Sequence, residues 1–378
     1  MSAGLLEWCR ARSAWQRELL ELLVRLESPS EDKAAVDRCG AALAERLAAL
    51  GGSVSSIEQP HRGNHVRAEF GAGRRQVLLL GHVDTVWPVG QIESMPLRER
   101  EGRLYGPGVF DMKAGIASAL LAVRALLERR VPHWPRVVML WTGDEEIGSA
   151  SSRAAIEAEA RRSDAVLVLE PSLPGGGAKT TRKGCGDFEL VVHGVPAHAG
   201  IEPERGASAV VELARQILEI SALEDPSRGV TINVGVVSGG TRPNVVPERA
   251  TALIDVRVPT MADAVRLEET LLARRALTAG TRVSMRGAVS RPPLERSAGG
   301  QRLYERARET ALELGEDLAE GGTGGGSDGN FTAALGVPTL DGLGPKGGGA
   351  HARDEHVELA DLPWRAAFLA SLLVRLER

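Results

Sequence analysis

Side chains able to bind cations or move protons stand where apolar runs of this chain end. The run Leu78-Leu79-Leu80-Gly81 leads into His82-Val83-Asp84. Period-two geometry puts His82 and Asp84 on one side of an extended chain. Asp84 can then accept the hydrogen of an imidazole whose other nitrogen ligates a metal. Asp111, in Gly108-Val109-Phe110-Asp111-Met112-Lys113, directly precedes an alanine-rich stretch. It can cap that helix or, beside His82, bridge two cations. The run Val137 to Trp141 leads into Asp144-Glu145-Glu146. Adjacent carboxylates suit metal-assisted hydrolysis, one holding a cation while its neighbour takes a proton from water. Glu146 is assigned the ligand role and Glu145 that of general base. A further run, Ala165 to Leu169, ends in Glu170-Pro171. The last donor is expected from Gly347-Gly348-Gly349-Ala350-His351, where glycine lets the backbone approach a crowded site. His356 is its rival, but the charged stretch Arg353 to Glu358 around it reads as solvent-facing.

These positions imply a scaffold. The short runs Val77–Leu80, Val137–Trp141 and Ala165–Leu169 alternate with helical stretches at Ala114–Leu127 and Ser151–Arg161. That order predicts a mostly parallel sheet flanked by helices, with His82, Asp111, Glu146 and Glu170 converging at the carboxyl ends of the strands. Leu5, Trp8, Trp15, Leu19, Leu22 and Leu23 predict an amphipathic helix covering it. After Lys183 the period changes to two, and the chain reads strand, helix, strand, strand, helix, strand up to Arg286, a split βαβ arrangement. The expected domains are therefore 1–181 with 293–378, and an inserted 182–292.

Composition narrows the function classes. The 378 residues are 43% hydrophobic and 25% charged, with a net charge of −4, so two folded domains are expected and no basic field for nucleic acid or an anionic membrane. Charged residues interrupt Leu5 to Leu26, which argues against a signal peptide or membrane span. Three widely spaced cysteines suit the reducing cytoplasm. The cluster Gly321 to Gly326 lacks the Gly-Lys-Ser/Thr ending of a nucleotide-phosphate loop.

In order along the chain, His82-Val83-Asp84, Gly108 to Lys113, Asp144 to Gly148, Glu170-Pro171, Ala197-His198-Ala199-Gly200 and Gly349-Ala350-His351 resemble the zinc exopeptidases and deacylases. That family includes glutamate carboxypeptidase, acetylornithine deacetylase, succinyl-diaminopimelate desuccinylase and aminoacylase; the likeness is greatest to the glutamate carboxypeptidase-like members. It implies a zinc-exopeptidase-like α/β domain with an inserted ferredoxin-like α+β dimerisation domain. It also implies two divalent ions, zinc with cobalt or manganese as alternatives. His82, Asp111 and Glu170 would hold one, and Asp111, Glu146 and His351 the other. Asp84 would orient His82, Glu145 would act as base, and His198 would stabilise the oxyanion in the neighbouring subunit of a homodimer. Arg257 and Asn244 resemble positions that bind a leaving amino acid's carboxylate, with a strand-surface pairing of Arg257 with Asp255 as the competing reading. Gly325 and Ser327 lie in a segment resembling one placed beside the substrate. The expected reaction is hydrolysis of an amide in a small peptide or N-acyl amino acid. Glu170 favours the carboxypeptidase or deacylase type, since the family's aminopeptidases tend to carry aspartate there. The alternatives are an aminopeptidase-like member and a non-catalytic, metal-dependent binding protein.

Overall fold

A computed structural model describes residues 2–377 of the chain. Its contacts divide it into two compact units, one from Met1–Thr180, Arg296–Gly322 and Ser327–Arg378, the other from Thr181–Glu295 with Thr323–Gly326. The glycine segment carrying Gly325 thus groups with the inserted unit, not with the first domain as the sequence suggested.

In the first unit a six-stranded sheet runs in the order Ser53–Ile57, His65–Phe70, Arg136–Thr142, Gln76–His82, Ala165–Val168, Thr339–Leu340. The last four strands are parallel and the first two are antiparallel additions at one edge. Alternation along the strands serves two cores. Val77, Leu79, Val137, Met139 and Leu167 face one; Leu78, Leu80, Val138, Leu140 and Val166 face the other. Helices Ala114–Glu128 and Asp361–Glu377 pack together in the first core, while Arg153–Ala160 and Gly329–Ala334 supply Ile156 and Phe331 to the second. Fully buried Ile116, Leu120 and Leu121 each contribute about 1.5–3 kcal/mol by leaving water. A Cβ at Gly115 would stand 2.1 Å from the Leu169 carbonyl oxygen, so only glycine lets this helix start so close to the chain that leads from strand Ala165–Val168 to Glu170. The single opening helix expected from the sequence is two, Ser2–Arg10 and Ser13–Arg25.

Register levels the strand ends. His82 lies opposite Thr142, two residues before Asp144, and Leu80 lies opposite Val168, two residues before Glu170. One edge of the parallel sheet therefore presents donors from three adjacent strands.

The second unit is a four-stranded antiparallel sheet, in the order Thr231–Gly239, Arg249–Val258, Gly184–His193, Arg282–Arg291, with helices Ala209–Ser221 and Met261–Leu272. Its own core is built from Phe188, Leu190, Val192, Leu213, Ile254 and Leu267. The strand order is that of the ferredoxin-like fold.

Candidate metal centre

His82 is buried where its strand ends. Its Nδ1 lies 2.9 Å from the backbone carbonyl oxygen of Asp84 and 3.5 Å from Asp84 Oδ1. A carbonyl only accepts, so Nδ1 carries the hydrogen, and the Asp84 carbonyl fixes the tautomer with the Asp84 carboxylate beside the same nitrogen. Nε2, the ring nitrogen left for a proton or a cation, faces Asp111 Oδ1 and Glu170 Oε1, each 3.4 Å away. Both His82 Nε2 and Asp111 Oδ1 are buried without a hydrogen-bond partner. A buried imidazole nitrogen crowded by carboxylate oxygens calls for positive charge there, a proton or a cation.

Asp111 uses its second oxygen differently. Asp111 Oδ2 is 3.3 Å from His351 Nε2, which lies 3.2 Å from the Glu146 carboxylate. Asp111 does not cap the helix that follows; it sits in a kinked turn, Val109–Lys113, and the helix begins at Ala114. His351 is half exposed, in the left-handed region at φ 60° just beyond Gly349 at φ 72°. His356, its rival, faces away into a short strand, with its ring 5.1 Å from that of Tyr105.

Of the three consecutive acids, Asp144 turns inward and accepts from the backbone N–H and hydroxyl of Ser151, both at 2.7 Å. Glu145 is half-buried, and the Glu146 side chain is largely buried against His351. The backbone N–H groups of Glu145 and Glu146 each donate to a different oxygen of Asp84, at 3.2 Å, and Ser30 Oγ donates to Asp84 at 2.6 Å. Asp84 thus fixes the acidic turn. On the far side, Asp328 accepts from Thr142 Oγ1 at 3.1 Å and from Ser149 Oγ, closing the loop that carries both glutamates.

Electrostatics point the same way. Burial alone would push the His82 imidazole down, but Asp111, Asp84 and Glu170 hold it well above its ordinary value. Asp111 and Glu146 raise His351 to about 10. Burial would raise Asp111, yet His351 and His82 hold it below the usual carboxylate range. Glu146 is pushed up, by burial first and by the neighbouring Asp111 charge, against the pull of His351. The carboxylates create a field that favours two positive charges, one near each imidazole. Divalent cations answer that field with oxygen and imidazole donors they commonly accept. Donor atoms of His82, Glu145 and Glu170, and of His82, Asp111 and Glu146, lie within 4.8 Å of one another in each group, which fits a dinuclear site.

The expected substrate residues are placed otherwise. Ser327 is fully buried and gives its hydroxyl to Asp341, while its N–H goes to Asn330, so it cannot face a substrate as expected. Gly325 is exposed in the inserted unit, where its carbonyl accepts from Arg182 at 3.2 Å. Arg257 donates to both oxygens of Asp255, at 2.9 and 2.8 Å, the competing pairing noted from the sequence. His198 and Asn244 are both exposed, on loops joined by backbone bonds from Ala199 N to Asn244 O at 3.0 Å and Val246 N to Ala197 O at 2.9 Å.

Sequence reasoning missed Glu355, Asp328 and Ser30. Glu355 left a faint signal, since it stands two residues before buried Val357, directly ahead of the strand His356–Glu358.

The pattern of Peptidase family M20/M25/M40 matches residues 78–375. Carboxypeptidase G2 of Pseudomonas sp. (strain RS-16) is 30% identical over 365 residues, covering 94% of this chain and 88% of that protein. A succinyl-diaminopimelate desuccinylase of Xanthomonas euvesicatoria pv. vesicatoria is 31% identical over 382 residues, covering 95% and 99%. The crystal structure of aminopeptidase PepT from Bacillus cereus has the same fold, with a TM-score of 0.80 at 22% identity, covering 97% and 99%. Among the described residues no helix is long and apolar enough to cross a membrane.

Proposed function

The chain belongs to Peptidase family M20/M25/M40 and is a metallohydrolase, and from that premise we propose that it cleaves the amide joining an acyl or aminoacyl group to a carboxylate-bearing amino acid. The observation that carries a two-ion site is the Asp111 carboxylate, one oxygen toward His82 and the other toward His351. In this reading His82, Asp111 and Glu170 hold one ion, and Asp111, Glu146 and His351 the other. When bound, zinc, or cobalt or manganese in its stead, polarises the scissile carbonyl and lowers the pKa of water. Glu145 accepts a proton from the attacking water and returns it to the leaving nitrogen. Asp84 holds the turn from which Glu145 projects. Asn244 and Arg257 meet the substrate carboxylate, Arg257 while anchored to Asp255, and the Gly325 segment lies alongside. The names of the two sequence relatives, a carboxypeptidase and a desuccinylase, support this substrate type, as does Glu170.

We also assign a homodimer formed through residues 182–292, with His198 of one copy stabilising the oxyanion in the other. Supporting it, the edge strand Thr231–Gly239 exposes Val236 and Val237, and helix Ala209–Ser221 exposes Val211 and Leu218. The three free thiols support a cytoplasmic protein.

The test is hydrolysis of a mixed library of N-acyl amino acids and dipeptides, read by mass spectrometry before and after chelation, with metal content measured in parallel. Cleavage lost on chelation and restored by zinc, releasing a free amino acid from N-acylated substrates, is the expected result. Cleavage confined to peptides with a free amino terminus would replace it with an aminopeptidase. Bound metal without cleavage would indicate a binding protein, and a chain that takes up no ion would overturn the reading.

A further inference from the structure

Glu355 follows His351 by four residues in a stretch whose charge suggests solvent, yet it is fully buried. Each of its carboxylate oxygens accepts two hydrogen bonds. Oε1 takes the backbone N–H groups of Phe110 at 2.9 Å and Asp111 at 3.0 Å. Oε2 takes the Gly108 N–H at 3.0 Å and the Trp87 indole N–H at 2.8 Å. A buried carboxylate is tolerated only when so satisfied, and bonds to a charged acceptor are about twice as strong as neutral ones. The backbone adds a further tie, from Gly106 N to Glu355 O at 3.3 Å.

Three segments meet at this one side chain: the loop after the His82 strand, through Trp87; the turn bearing Asp111; and the loop bearing His351. Because the N–H of Asp111 itself is among the donors, Glu355 pins the Asp111 backbone to the segment that presents His351. The 3.3 Å approach of Asp111 Oδ2 to His351 Nε2 depends on that pin. We infer that Glu355 is a positioning residue that sets the affinity of the site for the ion shared by Asp111 and His351, without touching ion or substrate. The inference rests on the proposed roles of Asp111 and His351 as ligands.

The decisive variant is Glu355→Gln, which keeps the shape but turns an amide NH2 toward two N–H donors. Cobalt is titrated into the metal-depleted full chain, followed by its visible absorption and by competition with a chelator. Wild type should take up two ions. Glu355→Gln should bind the ion shared by Asp111 and His351 about 10–100-fold more weakly, the usual cost of losing a group that orients a ligand, with the other, which Asp111 also holds, weakened less. Trp87→Phe removes a single donor and should weaken the same ion several-fold, which provides a test should Glu355→Gln fail to fold. Asp354→Asn, on the exposed part of the same loop, should bind both ions as wild type does. Stepwise affinities of Trp87→Phe and folded Glu355→Gln equal to wild type would overturn the inference while leaving the metal site standing. A wild-type chain that takes up no cobalt would remove the ligand assignments themselves, and the inference with them.

Discussion

The centre at the strand ends and the loops carrying His198 and Asn244 both bear residues matched to one family's motifs, yet they are built on different principles. At the centre, side chains are held by buried acceptors: Asp84 grips the Glu145 turn, Asp328 closes it from behind, and Glu355 fixes the Asp111 loop. In the inserted unit His198 is exposed, its Nδ1 accepting only the nearby Gly200 N–H at 3.1 Å, and Arg257 is paired to Asp255. The first region is organised in advance for charge. In the second, His198 and Asn244 are exposed on loops joined mainly through backbone bonds. Preorganised dipoles and charges do most where chemistry occurs, so mutations in the two regions should differ in kind as well as in size.

The largest effect is expected at Glu145. Glu145→Gln should lower kcat about 10²–10⁴-fold while metal content and melting temperature hold, because only proton transfer is removed. Near-normal turnover would show that the ordered region does not supply the base. Next is His198→Ala, expected to cost about 10²–10³ in kcat with no loss of bound metal, if it contributes an oxyanion donor. Mixing that protein with Glu145→Gln under conditions of shown subunit exchange should restore activity through mixed dimers. Lack of rescue would detach His198 from the neighbouring site and widen the contrast between the regions.

Smaller effects fall on stability. Asp328→Ala leaves the Thr142 and Ser149 hydroxyls without their buried acceptor and should cost about 1–3 kcal/mol in denaturant unfolding. A comparable loss from Asn244→Ala would contradict the view that its exposed loop is loosely held. The smallest effect is in the pH profile. His65 is fully buried and accepts the Gly143 N–H on Nδ1 at 3.2 Å, and burial lowers its pKa against the opposing pull of Asp144. The unfolded chain therefore takes up this proton more readily. The stability His65 confers is complete above its ordinary value of about 6.5 and drains away as pH falls through the window below that value. His65→Asn, whose Oδ1 can accept the same N–H but cannot titrate, should flatten that slope in urea melts, and an unchanged slope would assign it elsewhere.

Much of the centre could be read from sequence because its logic is local. A strand that ends in a potential donor places it at the sheet edge whatever else the chain does, so His82, Glu146 and Glu170 could be placed at that edge as candidates from the apolar runs, while Asp111 stayed open between a helix cap and a bridge. The inserted unit's strand and helix order was legible for the same reason. The positions that misled were those whose burial depends on distant partners. Ser327, expected beside the substrate from its segment's resemblance, instead gives its hydroxyl to buried Asp341.

By itself, then, the sequence determined the element order, the candidate donors and the edge on which they gather, since period and chain order follow from neighbouring residues. Tertiary structure alone decided which oxygen of Asp111 faces which imidazole and that the Asp84 carbonyl sets the His82 tautomer. It also decided that a glutamate in a charged stretch lies in the interior. The bond from Asp111 N to Glu355 joins residues 244 positions apart. A carboxylate stays in water unless several donors await it elsewhere, and only the folded chain brings those donors together.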